Sequence, residues 1–219
     1  MHSSHDPLTL SLLPRPALEP IAEQAVLLPE FAAAEAADLF ADVRAVEAAA
    51  PCRRMVTPGG LQMSVAMTNC GRVGWVTDEK GYRYSAVRPG SGLPWPDMPA
   101  SMKALAVHAA DAAGFTGFEP DACLINRYHP GSRLTAHQDR NERDLTAPVV
   151  SVSLGIPAVF FFGGLRRRDP VQRLTLVHGD VVVWGGPSRL AFHGVSKLAD
   201  GEHPLTGRCR INLTFRQAL

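Results

Sequence analysis

The chain has 219 residues, of which 46% are hydrophobic and 20% are charged, and its formal net charge is +1. This composition allows a substantial core and excludes a disordered chain and a strongly basic nucleic-acid coat. The four cysteines form no CxxC pair, which argues against a zinc ribbon or a disulfide scaffold. No apolar run reaches the roughly 18 residues of a membrane span, and no secretory pattern is present, so we expect a cytoplasmic protein without a membrane partner.

The first 120 residues are predicted to hold an arm, two helices and one strand. Residues 1–20 contain four prolines and little periodicity, which predicts a flexible arm. Apolar residues at helical spacing predict helices at 32–50 and 101–113, and a strand is predicted at 62–69. Residues 71–99 are rich in glycine, proline and aromatic residues, which is typical of a loop that covers or binds something.

From residue 121 onward, short apolar segments alternate with turn residues. Eight strands without an intervening helical period are typical of an antiparallel sandwich or jelly roll. We therefore predict a mainly β protein with flanking helices (α+β), in which residues 21–219 form one domain. The predicted strands cover residues 122–128, 133–136, 149–154, 157–162, 172–177, 180–184, 189–195 and 209–216.

Basic residues gather in the last third of the chain. Residues 160–219 contain nine Lys and Arg against four Asp and Glu, with the highest density at 166–168. A basic patch on a nearly neutral protein can steer a phosphate-bearing substrate. An arginine-rich loop that only contacts water would give the same pattern.

The segment LTAHQDRNE contains a candidate metal site. With one residue between them, His137 and Asp139 project to the same side of an extended chain. Among the histidines that could supply a third ligand, His193 is favoured because it lies in an apolar strand, where an unpartnered imidazole would be costly. Two histidines and one carboxylate suit a non-haem iron, while zinc with an added water is the alternative.

The last predicted strand, RINLTFR, has a polar and an apolar face. Residues 210, 212, 214 and 216 alternate with Ile211, Leu213 and Phe215. Burying an arginine at each end of the polar face would be costly without an anion. Guanidinium groups bind carboxylates in a bidentate manner, so this face could hold a small dicarboxylate. An edge strand with its polar side in water is the alternative.

Taken together, these features resemble the AlkB family of Fe(II)/2-oxoglutarate-dependent DNA-repair dioxygenases, from about residue 20 to the end. The resemblance implies a double-stranded β-helix core at 121–219, preceded at 21–120 by helices and a nucleotide-recognition lid. The matching segments are MVTPGG (55–60), SVAMTNCG (64–71), PDACLINRYHPG (120–131), HQDRNE (137–142), APVVSVSLG (147–155), HGDVVVWGG (178–186) and RINLTFRQ (210–217).

The resemblance also assigns a metal and co-substrate site. His137, Asp139 and His193 would hold Fe(II). Arg210 would bind the 2-oxoglutarate carboxylate beside the metal, with a catalytic role, and Arg216 the far carboxylate. The other co-substrate positions are Asn126, Tyr128 and Asn212, with Trp184 nearby.

On the substrate side, Trp75 and His137 would sandwich the damaged base, and Tyr82 would hold a backbone phosphate. The remaining positions that match the substrate side are Thr57, Met67 and Arg167. This chain departs from the family at two places. Asn141 replaces an acidic residue that contacts the methylated base, and Phe161 stands where a polar residue is usual.

The implied activity is oxidative demethylation of N-alkylated bases, such as 1-methyladenine and 3-methylcytosine, with formaldehyde release. The co-substrates would be 2-oxoglutarate and O₂. The partner would be single- or double-stranded DNA, or RNA, and we expect a monomer that requires no protein partner. The alternatives are a 2-oxoglutarate hydroxylase acting on RNA or on a protein, lipid or small molecule, and a non-enzymatic cupin-like binding domain.

Overall fold

The structure is a computed structural model that describes residues 18–219. Most of the predicted arm, residues 1–17, therefore lies outside the described residues. The helices are α1 (Ala36–Ala49) and α2 (Ala100–Ala112). The strands are β1 (Glu19–Ala22), β2 (Ala25–Leu28), β3 (Ala66–Gly71), β4 (Gly74–Asp78), β5 (Gly81–Ser85), β6 (Ala122–Tyr128), β7 (Leu134–His137), β8 (Val149–Gly155), β9 (Ala158–Phe162), β10 (Gln172–Leu176), β11 (Val181–Trp184), β12 (His193–Val195) and β13 (Arg210–Arg216).

Two antiparallel sheets form the body of the protein. The large sheet has the strand order β1-β2-β11-β8-β13-β6-β3, and the small sheet has the order β10-β9-β12-β7. Apolar side chains from both sheets, such as Trp184 and Phe160, belong to one buried cluster between them. This arrangement is the predicted jelly roll. A separate hairpin of β4 and β5 completes the described strands.

The outer face of the large sheet is covered by the two helices. Helix α1 buries Leu39, Val43 and Val46, whose spacing places them on one side of the helix. These residues share a cluster with Ile211 and Phe215, the apolar face of β13. With the outer face covered by helices and the inner face by the small sheet, all seven residues of β13 are buried. Its polar face is consequently enclosed in the protein, which excludes the alternative of a water-facing edge strand.

All eight strands predicted after residue 121 are present, with ends shifted by a few residues. The largest shift is at the predicted strand 189–195, which begins only at His193 because the 3-10 turn at 186–188 is followed by further turns that extend to Ala191. Both predicted helices are present, and the strand predicted at 62–69 lies at Ala66–Gly71.

Two hairpins were not predicted. Residues 19–28 form β1 and β2, which extend the large sheet through pairing of β2 with β11, so the predicted arm is too long at its end. Residues 74–85 form β4 and β5 inside the predicted loop. Three strands of the large sheet therefore precede residue 121, and the lid and core regions share that sheet. Within residues 18–219, no helix is long and apolar enough to cross a membrane.

Candidate metal and co-substrate site

Three predicted metal ligands meet at the open end of the small sheet. His137 is the last residue of β7 and pairs across the strands with His193, the first residue of β12. Asp139 follows two residues after β7 and lies 3.8 Å from each histidine, measured from its carboxylate oxygens to the Nε2 atoms. The ligand atoms of all three residues lie within 4.8 Å of one another. This spacing fits one metal ion bound by two imidazoles and one carboxylate.

Backbone carbonyls orient both imidazoles. The Nδ1 of His137 is 2.9 Å from the carbonyl oxygen of Thr135, and the Nδ1 of His193 is 3.0 Å from that of Ala191. In each histidine, a protonated Nδ1 then donates to the carbonyl oxygen. The Nε2 lone pair is left facing Asp139, as a metal ligand requires. Burial, helped by the neighbouring His137, lowers the pKa of His193 to about 4. His193 is consequently neutral at physiological pH.

Arg216 compensates the buried charge of Asp139. Its Nη2 and Nε lie 2.7 and 3.0 Å from Asp139 Oδ2. Burial opposes ionisation of the carboxyl group, but Arg216, followed by His193 and His137, outweighs that effect and holds the pKa of Asp139 well below its ordinary value. Asp139 is thus ionised at neutral pH, and Arg216 holds its carboxylate beside the two histidines.

The polar face of β13 lines a cavity that opens onto this cluster. Arg210 at its far end is 1% exposed, and its Nη2 donates to Ser153 Oγ at 2.9 Å. Its Nε and Nη1 have no hydrogen-bond partner among the described residues. A buried guanidinium with free donors is costly unless an anion binds there. The cavity is lined, among others, by Asn126, Tyr128, His137, Ser151, Trp184, His193, Arg210, Asn212, Thr214 and Arg216.

The structure reverses the predicted order of the two arginines. Arg216, predicted to hold the far carboxylate, contacts the metal-ligand Asp139. Arg210, predicted to lie beside the metal, has its guanidinium carbon 5.1 Å from the ring centre of Tyr128. The reason is the direction of β13, whose C-terminal end reaches the Asp139 loop. A dicarboxylate in this cavity would therefore place its far end at Arg210.

The other predicted co-substrate residues lie in the same cavity. Asn126 Nδ2 donates to Asn212 Oδ1 at 3.2 Å, and Asn212 Nδ2 donates to Ser151 Oγ at 2.8 Å. Tyr128 is 1% exposed, and burial raises its pKa, so its phenol stays protonated. Trp184 packs edge-on against His193, with 4.8 Å between ring centres. Ser151 and Ser153 were missed because serines in a buried strand carry no sequence signal of their own.

The lid residues Trp75 and Tyr82 face each other on the β4–β5 hairpin. Their rings stack with centres 5.6 Å apart, and Tyr82 is 48% exposed. Asn69 fixes the hairpin by accepting from the backbone nitrogen of Trp75 and donating to its carbonyl. The Trp75 indole Nε1 donates to Asn141 Oδ1 at 3.3 Å, which ties the lid to the metal-ligand loop.

The buried carboxylate of Glu142, next to Asn141, also connects the lid hairpin to the metal-ligand loop. This connection was not predicted. Glu142 Oε1 accepts a 2.6 Å hydrogen bond from the Tyr84 hydroxyl and lies 3.4 Å from Arg216 Nε. Arg189 approaches Glu142 Oε2 at 3.3 Å and donates to the backbone carbonyl of Asp139 at 2.7 Å. The sequence carries no signal for this cluster, because the partners of Glu142 lie more than 40 residues away along the chain.

The three remaining substrate positions have different environments. Thr57 lies in a turn beside the lid, where its backbone nitrogen donates to Leu61 and its Oγ1 accepts from the Leu61 nitrogen. Met67 is 2% exposed and packs in the inner core, and its contact with a substrate stays a prediction. Arg167 is exposed and donates to the carbonyl of Ala136, the residue before His137.

Comparison with known proteins gives consistent results. Residues 24–216 match the 2OG-Fe(II) oxygenase superfamily. The chain is 59% identical over 200 residues to the alpha-ketoglutarate-dependent dioxygenase AlkB of Escherichia coli K12, covering 91% of this chain and 93% of that protein. It is 36% identical over 135 residues to the mouse nucleic acid dioxygenase ALKBH1, covering 60% and 34%. The solved structure of OsALKBH1 superposes with a TM-score of 0.80 at 28% identity, covering 91% of this chain and 99% of that one.

Proposed function

This chain belongs to the 2OG-Fe(II) oxygenase superfamily and to its AlkB family, and on that premise we propose that it removes N-linked methyl groups from bases such as 1-methyladenine and 3-methylcytosine. Members of this family are dioxygenases that use Fe(II), 2-oxoglutarate and O₂. Nucleic acid is the substrate class of the relatives, and DNA is the substrate proposed here, with RNA as the second candidate. We propose that the enzyme acts as a monomer in the cytoplasm.

The observation that carries this proposal is the cluster of His137, Asp139 and His193 next to a buried arginine with free donors. The cluster suits Fe(II), and the cavity between it and Arg210 suits a dicarboxylate. When bound, Fe(II) with 2-oxoglutarate and O₂ supplies the oxidising chemistry that hydroxylates the N-methyl group, after which formaldehyde leaves.

The protein's own residues hold the metal and orient the co-substrate. Arg216 keeps Asp139 ionised and aimed at the metal position. Arg210 orients the co-substrate by its far carboxylate, with Asn126 and Asn212 lining the same cavity. Apolar walls, including Trp184 and Leu134, keep water from the reacting groups. The positions of these residues around the cavity support the roles proposed for them.

The substrate base must leave a base stack to reach the metal, because the ligands Asp139 and His193 are buried and a base inside a duplex cannot approach them. We expect Trp75 and His137 to stack on such a base, and Tyr82, which stacks on Trp75 and is 48% exposed, to contact a neighbouring phosphate. Aromatic stacking tolerates any base, and a methylated cationic base stacks well on indole. Asn141, held by the Trp75 indole, offers an amide to the edge of the base.

The test is formaldehyde release from a single-stranded oligodeoxynucleotide with one 1-methyladenine, in the presence of Fe(II) and with or without 2-oxoglutarate. An oligoribonucleotide of the same sequence is run in parallel. Release that depends on the keto acid and is faster on DNA supports the proposal, and faster release on RNA favours the second candidate. Succinate without formaldehyde from either strand would contradict the substrate while keeping the oxygenase class. Neither product from iron-loaded protein would contradict both.

A further inference from the structure

The outer face of the small sheet, opposite the metal ligands, carries a groove that the proposed function does not use. The groove encloses about 400 Å³, within the size range of small-molecule sites. Strands β7, β9, β10 and β12 and the residues that flank them line it. It lies on the solvent side, because the alternate residues Phe160 and Phe162 of β9 belong to the inner core.

The floor of this groove is an aromatic ring held flat on the sheet. Phe161 of β9 pairs with Gly194 of β12 on one side and with Arg173 of β10 on the other. A Cβ at Gly194 would lie 2.4 Å from the Phe161 ring, so only glycine lets the ring lie across β12. Phe161 remains partly exposed and its neighbour Val171 is 42% exposed.

Three cations line the same groove as the ring. Arg173 reaches across the groove toward Ser196, with its Nη1 3.4 Å from the serine hydroxyl. Arg133 and Lys197 line the other side, and both are exposed. None of the described residues that line the groove is acidic. An aromatic platform among cations is the arrangement by which proteins bind single-stranded nucleic acids, with the ring stacking a base and the cations facing phosphates.

The groove reaches the edge of the small sheet that carries the metal ligand His137. Ala136, which lines the groove, precedes the metal ligand His137. The carbonyl of Ala136 accepts from Arg167, whose guanidinium also lies 4.9 Å from the Phe192 ring centre. Arg167 and its neighbours Arg166 and Arg168 thus extend the positive surface from the metal-binding edge to the groove.

Resting on the proposed function, we propose that this groove binds an unmodified nucleotide of the strand that carries the damaged base. The nucleotide's base stacks on Phe161, and the phosphates beside it contact Arg133, Arg173 and Lys197. The groove therefore selects for strand length and for single-stranded character beyond the damaged base. It does not take part in the chemistry at the metal.

The test combines two substrates with two charge-matched triple variants. The groove variant carries Arg133→Ala, Arg173→Ala and Lys197→Ala, and the control carries Arg44→Ala, Arg72→Ala and Lys103→Ala, all exposed and away from the small sheet. The affinities for an unmodified 15-nucleotide single strand are measured by fluorescence anisotropy across salt concentrations. Turnover is measured on a trinucleotide with a central 1-methyladenine, which is too short to fill the groove.

We expect the groove variant to bind the 15-nucleotide strand about tenfold more weakly than wild type, with a salt slope smaller by about 2, the equivalent of three phosphate contacts on a single strand. Turnover of the trinucleotide should stay within twofold, and the control should match wild type in both. Binding within twofold of wild type, or an equal loss on the trinucleotide, would overturn the proposal. Absence of trinucleotide turnover in wild type as well would contradict the proposed function and leave the binding result to decide on the groove.

A second variant tests the aromatic floor. Phe161→Leu keeps an apolar side chain over Gly194, and its melting temperature reports on folding. We expect about fivefold weaker binding of the 15-nucleotide strand, because base–aromatic stacking is lost. A poly-glutamate peptide serves as the competing polyanion. Equal competition by this peptide, together with unchanged binding by Phe161→Leu, would identify an unspecific anion surface and overturn the nucleotide assignment.

Discussion

The hydroxyl of Tyr84 donates a 2.6 Å hydrogen bond to the buried carboxylate of Glu142. Tyr84 belongs to the lid hairpin, whereas Glu142 belongs to the loop that carries the metal ligand Asp139. Arg216 lies between the carboxylates of Glu142 and Asp139 and is close to both. The lid, the metal site and the C-terminal strand are therefore joined by one set of buried charges. We expect a substitution in any one of these three parts to alter the other two.

Replacing Glu142 by glutamine should destabilise the protein by about 3 kcal/mol, because Arg189 and Arg216 lose a buried charge partner. Urea unfolding measures this loss. Glu79→Gln, at an exposed position in the turn of the same hairpin, is the control and should leave the free energy of unfolding within 0.5 kcal/mol of wild type, as is usual on surfaces. Equal stability of the two variants would mean that the buried cluster contributes little.

The order of the two arginines can be tested with two keto acids. Pyruvate has the keto-acid end of 2-oxoglutarate but lacks the far carboxylate. In the Mn(II)-loaded wild type, 2-oxoglutarate should raise the melting temperature far more than pyruvate does. Arg210→Ala should lower the affinity for 2-oxoglutarate about tenfold or more and leave that for pyruvate nearly unchanged. Equal losses of affinity for both acids would indicate that Arg210 binds the carboxylate beside the metal.

His193→Ala should abolish metal binding and turnover while the chain still folds. The imidazole packs against Phe162 and Trp184, so its loss leaves a small cavity that costs about 2 kcal/mol. Calorimetric titration with Mn(II) measures the site without turnover, and circular dichroism checks the fold. The exposed His129→Ala is the control and should bind metal as wild type does. Retained activity in His193→Ala would refute the assignment of the three ligands.

The ligands His137 and Asp139 and the β13 face could be found from sequence because both depend on local spacing, whereas His193 was found from the apolar strand around it. His137 and Asp139 are two residues apart, and the polar residues of β13 alternate strictly. The β4–β5 hairpin was missed because its glycine- and aromatic-rich sequence is equally typical of a loop. The order of Arg210 and Arg216 depends on which end of β13 meets the Asp139 loop, a tertiary relationship with no local signal. The Glu142 cluster is hidden for the same reason.

Trp75→Ala should affect the nucleic acid and not the co-substrate. The indole stacks on Tyr82 and reaches Asn141, while the co-substrate cavity is lined by other residues. Loss of one stacking surface should raise the oligonucleotide KM about tenfold and leave the 2-oxoglutarate KM within twofold. Val87→Ala, exposed just beyond the hairpin, is the control. Equal increases in both KM values would show that Trp75 supports the whole site and does not serve the lid alone.

Asn141→Asp should change the preference among damaged bases. The aspartate can still accept from the Trp75 indole, because its carboxylate has the same size and keeps the acceptor oxygen. It also adds a negative charge facing the base, and 1-methyladenine and 3-methylcytosine are cations, whereas 1-methylguanine and 3-methylthymine are neutral. A charge-assisted hydrogen bond is about twice as strong as a neutral one, so the ratio of kcat/KM for cationic over neutral bases should rise about tenfold. Measured on four oligonucleotides that differ only in the lesion, an unchanged ratio would place Asn141 away from the base.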